Sequence, residues 1–218
     1  MNSFKQQSDS NAYFRIGFGK GRGFREVLNK FSPKEIDIPS NFLLEKLPGF
    51  KDEFCKLIFV QVRQSDLPWL LSNNYIDLAI GSSIWFQETI LDNVQHIFKT
   101  NIASGRLSLI IRNEKNKMMN FQTICTRFPS LTSKWLNQMG YYDKQILEME
   151  GSHEVALFLG FADGIVDIIS SGNTVKSMNL VEVQKITDLE HGVWIRKNTS
   201  QPKRKMLLEL FPSVSWEL

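Results

Sequence analysis

Three observations predict an α/β fold for this chain. Short apolar runs rich in Ile, Val and Phe alternate with stretches of helical period. Glycines and small hydroxyl residues stand between the runs, where a strand must turn into a helix. The alternation also restarts near residue 100, so two domains are expected within the 218 residues. The expected boundaries are 13–100 with 188–218 for domain I and 101–187 for domain II, after a polar, disordered extension at 1–12.

Taken in order, Tyr13–Phe18 reads as a first strand, followed by a glycine-rich turn and a helix near Phe24–Phe31. Lys56–Val62 is a second strand. Ser65 is placed to cap a helix through Leu67–Leu71, with Pro68 in the first turn, where its missing N–H costs little. Ile76–Ile80 is a buried strand, with Ser82 or Ser83 as the cap of the helix after it. Leu107–Ile111 and Phe121–Cys125 are strands, the second leading through Pro129 to a helix that ends near Gly140. Gln145–Met149 is a strand, and Ser152 is expected to cap a helix stopping at Gly160. Gly164–Ile169 is a strand, Thr174–Met178 a short helix, Val193–Arg196 a last strand, and Pro202–Leu210 a last helix.

Composition narrows the function classes. Apolar residues make up 42% and charged residues 22%, as in ordinary globular proteins. With 26 Lys and Arg against 23 Asp and Glu, the excess of +3 is too small to imply nucleic-acid binding. No apolar run reaches the roughly 18 residues of a membrane span. Residues 1–12 lack the apolar stretch of an export signal, so a cytoplasmic location is expected. Cys55 and Cys125 lie in apolar runs without ligand spacing and read as free thiols. His96 and His191 have no acidic or Cys neighbours at metal-ligand spacing.

The sharpest chemical signal is the segment from Asp163 to Thr174. A buried strand delivers Asp167 toward its carboxyl end, and Gly172 follows among Ser170, Ser171, Asn173 and Thr174. Glycine lets the backbone turn tightly, and the loop amides with the start of the next helix form a donor set suited to phosphate. An ordinary strand-to-helix turn with hydroxyl caps would look the same, so the loop needs support from elsewhere in the chain.

That support is a series of short matches in one order. Gly151-Ser152-His153-Glu154, Gly160-Phe161-Ala162-Asp163-Gly164-Ile165-Val166-Asp167 and Ser171-Gly172-Asn173-Thr174 resemble consecutive segments of the ATP phosphoribosyltransferase family. Lys20-Gly21-Arg22, Asp66-Leu67-Pro68, Tyr75-Ile76-Asp77-Leu78-Ala79-Ile80 and Cys125-Thr126-Arg127-Phe128-Pro129 are similar to others. The resemblance implies two α/β domains of the type II periplasmic-binding-protein kind, with the active site in the cleft between them. It implies attack of adenine N1 of ATP on C1 of phosphoribosyl pyrophosphate, with Mg²⁺ accompanying that donor and pyrophosphate released. Ser170–Thr174 would then hold the 5-phosphate, with Asp163 and Asp167 on the ribose side and Lys20 and Arg22 toward the phosphates. Glu154, Gly81 and Ser82 complete the implied substrate contacts. The chain resembles the short form of the family, which implies a homo-oligomer and a regulatory subunit similar to histidyl-tRNA synthetase.

The departures fall on the acceptor side. Gly81-Ser82-Ser83-Ile84 replaces the family's Thr-Gly-x-Asp, and the basic residue near the domain crossover is missing or shifted to Arg106. His153 stands where the family has Val. It reads as a local hydrogen-bonding residue at the start of its helix, with a base role as the alternative. Trp85 follows the altered turn and could stack on a base, while Lys203, Arg204 and Lys205 read as a solvated basic face. A divergent phosphoribosyltransferase with another nucleotide acceptor and a non-catalytic binding or regulatory homologue are the alternatives; a solute-binding protein would call for an export signal.

Overall fold

The computed structural model describes residues 13–21, 23–31, 36–113, 121–212 and 215–216, without the side chain of Thr174. The expected extension at 1–12 and the candidate site residue Arg22 lie outside the described residues. In chain order the elements are β1 (Phe14–Gly19), α1 (Phe24–Lys30), α2 (Ser40–Leu43), β2 (Gly49–Asp52), β3 (Leu57–Val62), α3 (Leu67–Ser72), β4 (Leu78–Ser82), α4 (Ser83–Glu88) and β5 (Val94–Arg112). They continue with β6 (Thr123–Thr126), α5 (Pro129–Gln138), β7 (Gln145–Glu148), α6 (His153–Leu159), β8 (Gly164–Ile169), α7 (Asn173–Ser177), β9 (Leu180–Arg196) and α8 (Gln201–Leu210).

The described residues divide into two compact units. The first takes those of Met1–Phe86, Ile90–Ile102 and Glu190–Leu218, and the second takes Gln87–Thr89 and Ala103–Leu189. The long strands β5 and β9 therefore contribute one half to each unit.

In the first unit β1 lies between β3 and β4, parallel to both, with β2 antiparallel at the β3 edge and β9 antiparallel to β4. Phe14, Ile16 and Phe18 alternate into one core with Leu57, Phe59, Leu28 and Phe31. Phe18 stacks on Phe59 at 5.8 Å, and Phe59 stacks on Phe50 at 4.8 Å. The opposite face of the sheet packs Ala79 and Trp194 against Leu67, Leu71 and Ile76. Burial on both faces is why the central strands read as near-continuous apolar runs.

One buried carboxylate ties this unit together. Asp77, just before β4, accepts Nε of Arg15 on Oδ2 and Nη2 on Oδ1, each at 2.9 Å, and Lys203 on α8 at 2.7 Å. Arg196 on β9 is 3.6 Å away. Burial alone would raise its pKa, and the Arg15 and Lys203 hydrogen bonds overcome this and hold it below 3.8.

In the second unit β8 lies between β5, antiparallel, and β6, parallel, with β7 parallel beyond β6. Its core joins Ile110, Cys125, Ile165 and Ile169 from the sheet to Ala156 and Leu157 of α6. Cys55 and Cys125 are both free thiols, as expected. Among the described residues no helix is long and apolar enough to cross a membrane.

Several expectations are corrected. The strand expected at Leu107–Ile111 is the second half of a 19-residue strand. Asn101 (φ 58°) and Gly105 (φ 123°) break its alternation midway. Likewise Val193–Arg196 is only the end of the 17-residue β9, whose polar first half hides its period. Ser65 lies in a 3₁₀ turn at Gln64–Asp66, and α3 begins without a side-chain cap. Ser152 does precede α6, but at φ 54° it is left-handed and makes no capping bond, because a side-chain cap requires extended backbone there. The basic run on α8 is not simply solvated, since Lys203 binds Asp77 and Arg204 donates to the carbonyls of Thr199 and Lys197.

Candidate functional site

In the second unit the parallel strands β6, β7 and β8 end together, the position where α/β sheets usually place ligands. Chain continuing from β8 forms the turn Ser170–Gly172 and then enters α7. Gly172 has φ +75°, a left-handed conformation that glycine adopts without strain. Ser171 Oγ accepts the N–H of Asn173 at 3.4 Å, and the Gly172 carbonyl accepts the N–H of Lys176 at 3.1 Å. Ser170, Ser171 and Asn173 are exposed. The backbone of Thr174 lies in the first turn of α7.

Asp167, two residues before the end of the strand that leads into this turn, is one third exposed. Its Oδ2 is 2.9 Å from Nδ1 of His153, and its Oδ1 accepts the N–H of Ile168 at 2.7 Å. His153 is buried, 1% exposed, and its Nε2 lies 2.9 Å from the carbonyl oxygen of Met149. Both ring nitrogens thus face acceptors, an arrangement that only the doubly protonated imidazole satisfies. Burial disfavours the charged ring, but the Asp167 and Met149 hydrogen bonds outweigh it and raise His153 above its ordinary 6.5. Burial, reinforced by the Asp167 charge, pushes the Cys125 thiol up.

Asp163 is not brought to this turn. It precedes β8, four residues before Asp167, which at the strand rise is roughly 13 Å away. Its Oδ2 accepts the N–H groups of Gln122 and Thr123 at 2.9 and 3.0 Å. It thereby anchors the start of β6. Glu154 lines an apolar pocket with Arg112, Phe158 and Met178 among its walls. Arg106, to which the family's basic residue near the domain crossover is shifted if it is present at all, is forked onto Glu182 at 2.6 and 2.5 Å. Glu182 also accepts Ser108 Oγ at 2.7 Å.

In the first unit β1, β3 and β4 likewise run parallel and end at Gly19, Val62 and Ser82, with Lys20 and Gln64 just beyond the first two. Lys20 continues the ladder, its N–H donating to the Val62 carbonyl at 2.8 Å. Gln64 was not foreseen, and it organises this end. Its Nε2 donates to the Lys20 carbonyl at 3.2 Å, and its Oε1 accepts the Ser82 N–H at 2.9 Å. Gly19 and Gly81 make room for it, since a Cβ on either would lie within 2.6 Å of the Gln64 side chain. Gly81 and Ser82 are both buried, and the Ser82 amide is already taken. Glycine on two neighbouring strands at the same level was the available sequence signal, legible only with the register in hand.

Among the described residues no group of three His, Cys, Asp or Glu side chains converges to hold a metal ion.

A family model described as ATP phosphoribosyltransferase matches residues 63–214. The ATP phosphoribosyltransferase of Clostridioides difficile is 27% identical over 182 residues, 81% of this chain and 85% of that protein. Among solved structures, an ATP phosphoribosyl transferase (HisG:HisZ) complex from Thermotoga maritima matches with a TM-score of 0.74 at 21% identity, over 91% of this chain and 94% of that one. A periplasmic sulfonate-binding protein from Methylobacillus flagellatus matches with a TM-score of 0.58 at 12% identity, over 91% of this chain and 65% of that one. At these identities the two structures speak for the fold alone, that of the type II periplasmic binding proteins.

Proposed function

The chain belongs to the ATP phosphoribosyltransferase family, and from that premise we propose how its own residues carry the transfer of 5-phosphoribosyl from phosphoribosyl pyrophosphate to N1 of ATP. This reaction opens histidine biosynthesis. The observation that carries the assignment of residues is the end of β8, where Asp167 precedes a left-handed glycine turn that leads into a helix.

The amides of Ser171–Thr174 and the hydroxyls of Ser170 and Ser171 hold the 5-phosphate of the donor. Asp167 accepts hydrogen bonds from the ribose hydroxyls and so aims C1 at the acceptor. In the first unit, Lys20 supplies positive charge to the phosphates of the nucleotide or to the departing pyrophosphate, and Gln64 keeps its backbone in place. Arg22 joins Lys20 in this role by family resemblance. Adenine N1 uses its lone pair to form the bond to C1, and the C1–O bond to pyrophosphate breaks with its electrons on the leaving oxygen. The protein contributes position and charge rather than a covalent intermediate. Mg²⁺ belongs to this reading as the pyrophosphate complex of the donor, a part of the substrate.

By the same reading the chain self-associates and works with a regulatory subunit; the Thermotoga maritima transferase of the same fold is found in a HisG:HisZ complex. The test is pyrophosphate release from phosphoribosyl pyrophosphate and Mg²⁺ with and without ATP, with the product mass recorded. ATP-dependent release with a phosphoribosyl-ATP product is the expected result. Release that responds to a different nucleotide would reassign the acceptor, and no release even with the regulatory subunit present would contradict the reading.

A further inference from the structure

We propose that His153 is a positioning residue for the donor: its protonated imidazole holds the Asp167 carboxylate in the orientation that accepts the ribose hydroxyls, so donor affinity follows the charge of one buried histidine. The inference rests on the assignment of the donor to the β8 turn made above.

The geometry leaves the ring no freedom. It is 1% exposed, with Nε2 committed to the Met149 carbonyl at 2.9 Å and Nδ1 to Asp167 Oδ2 at 2.9 Å. Asp167 is in turn tethered on both oxygens, by His153 on Oδ2 and by the Ile168 N–H on Oδ1. A carboxylate oxygen accepts about two hydrogen bonds, so each still has a lone pair to offer. The side chain remains one third exposed, which leaves room for a diol. The carboxylate is therefore presented in one rotamer before any ligand arrives, the condition for tight binding at low ordering cost.

The charges facing the ring come from each neighbouring element. From β8 comes Asp167. Just past β6, Arg127 opposes the ring charge, and is itself paired with Glu150 at 3.1 Å. Cys125 on β6 is a thiol pushed up by burial, so it brings no charge near neutral pH. Glu154 is the next residue of α6. Ser108 lies opposite Asp167 in the β5–β8 register, but its hydroxyl donates to Glu182. The balance therefore turns on the His153–Asp167 contact. When the ring loses a proton, Met149 keeps the one on Nε2, because a carbonyl can only accept. The bare Nδ1 then faces a carboxylate oxygen at 2.9 Å, acceptor against acceptor, and Asp167 is driven out of its rotamer. Donor binding is thus strong below the pKa of His153, which lies above 6.5, and weak above it.

The experiment is calorimetric binding of phosphoribosyl pyrophosphate with Mg²⁺ from about pH 6 to about pH 9, on the wild type, His153→Gln and His153→Val. Titration of the donor's own phosphates is common to all three and cancels in the comparison. The wild type is expected to lose roughly tenfold in affinity across the window. His153→Gln, whose amide donates without titrating, is expected to lose nothing beyond the donor's own change and to match the wild type at low pH. His153→Val is expected to be weak throughout. Parallel profiles in the wild type and His153→Gln would overturn the proposal. If the variants do not fold, the ¹⁵N shifts of the His153 ring in the wild type decide: a doubly protonated ring whose titration tracks donor affinity supports it, and a neutral ring at pH near 6 overturns it. A wild type that binds no donor at any pH would instead overturn the donor-site assignment, a result distinct from binding with parallel profiles.

Discussion

The side-chain carbonyl oxygen of Gln64 accepts the backbone N–H of Ser82 at 2.9 Å, and the same side chain donates to the Lys20 carbonyl at 3.2 Å. Three parallel strand ends are thus joined through one amide. Removing it in Gln64→Ala takes the acceptor Oε1 from the Ser82 amide and the donor Nε2 from the Lys20 carbonyl, with an expected cost of about 1–3 kcal/mol. Urea unfolding reads this as a lower midpoint with an unchanged slope.

Gly81→Ala probes the same contact from the other side. An added Cβ would lie 2.5 Å from Gln64 Oε1 and 2.5 Å from Leu67 Cδ1, a clash worth about 1–3 kcal/mol. The double variant with Gln64→Ala is expected to be less destabilised than the sum of the singles, because one of the two clashes is gone. Strict additivity in the unfolding free energies would mean that the glycine does not serve to admit Gln64.

Asp77→Asn is expected to cost about 3–5 kcal/mol, because Arg15 and Lys203 are left facing a neutral partner in a buried place. The pKa of Asp77 is lowered on folding, so its contribution is fully present above the ordinary 3.8 and is lost as pH falls through the lowered value. Thermal unfolding at acid pH should therefore show a shallower decline in the variant than in the wild type.

For His153 the sign is opposite. Its pKa is raised on folding, so the stability it contributes is complete below the ordinary 6.5 and is lost as pH rises through the raised value. The melting temperature of the wild type should fall over that window relative to His153→Gln, which has no charge to lose.

Gly172→Ala places a methyl where nothing lies closer than Ile169 Cγ2 at 3.9 Å, so space is not the obstacle. The φ of +75° is. The cost is about 1–2 kcal/mol of left-handed backbone, already met in the ligand-free fold. The melting temperature should fall by roughly 2–4 °C per kcal/mol, while a turn that keeps its left-handed geometry leaves donor affinity near that of the wild type.

How much of this was legible from the residues can be traced position by position. Apolar runs such as Phe14–Gly19 and Gly164–Ile169, with their glycine turns, announced the α/β fold because parallel strands are buried on both faces. The first halves of β5 and β9 were hidden, since a strand with polar residues on both faces has no period to read. Asp163 and Asp167 look equivalent in one dimension, yet a strand separates them, and one anchors β6 while the other lies two residues before the end of β8. Gln64 follows a strand and belongs to no motif. Its role depends on Gly19 and Gly81 arriving from two other strands, which only the register reveals. The bond from His153 to Asp167 spans a helix and a strand and was likewise invisible from spacing.

The most direct test of the central claim, that the end of β8 holds the donor through Asp167, is calorimetric titration of phosphoribosyl pyrophosphate into the wild type, Asp167→Asn and Asp163→Asn. The account predicts affinity lower by roughly tenfold or more in Asp167→Asn, and near wild-type affinity in Asp163→Asn, whose amide oxygen can still accept the β6 N–H groups. Unchanged affinity in Asp167→Asn, or a larger loss in Asp163→Asn, would contradict it.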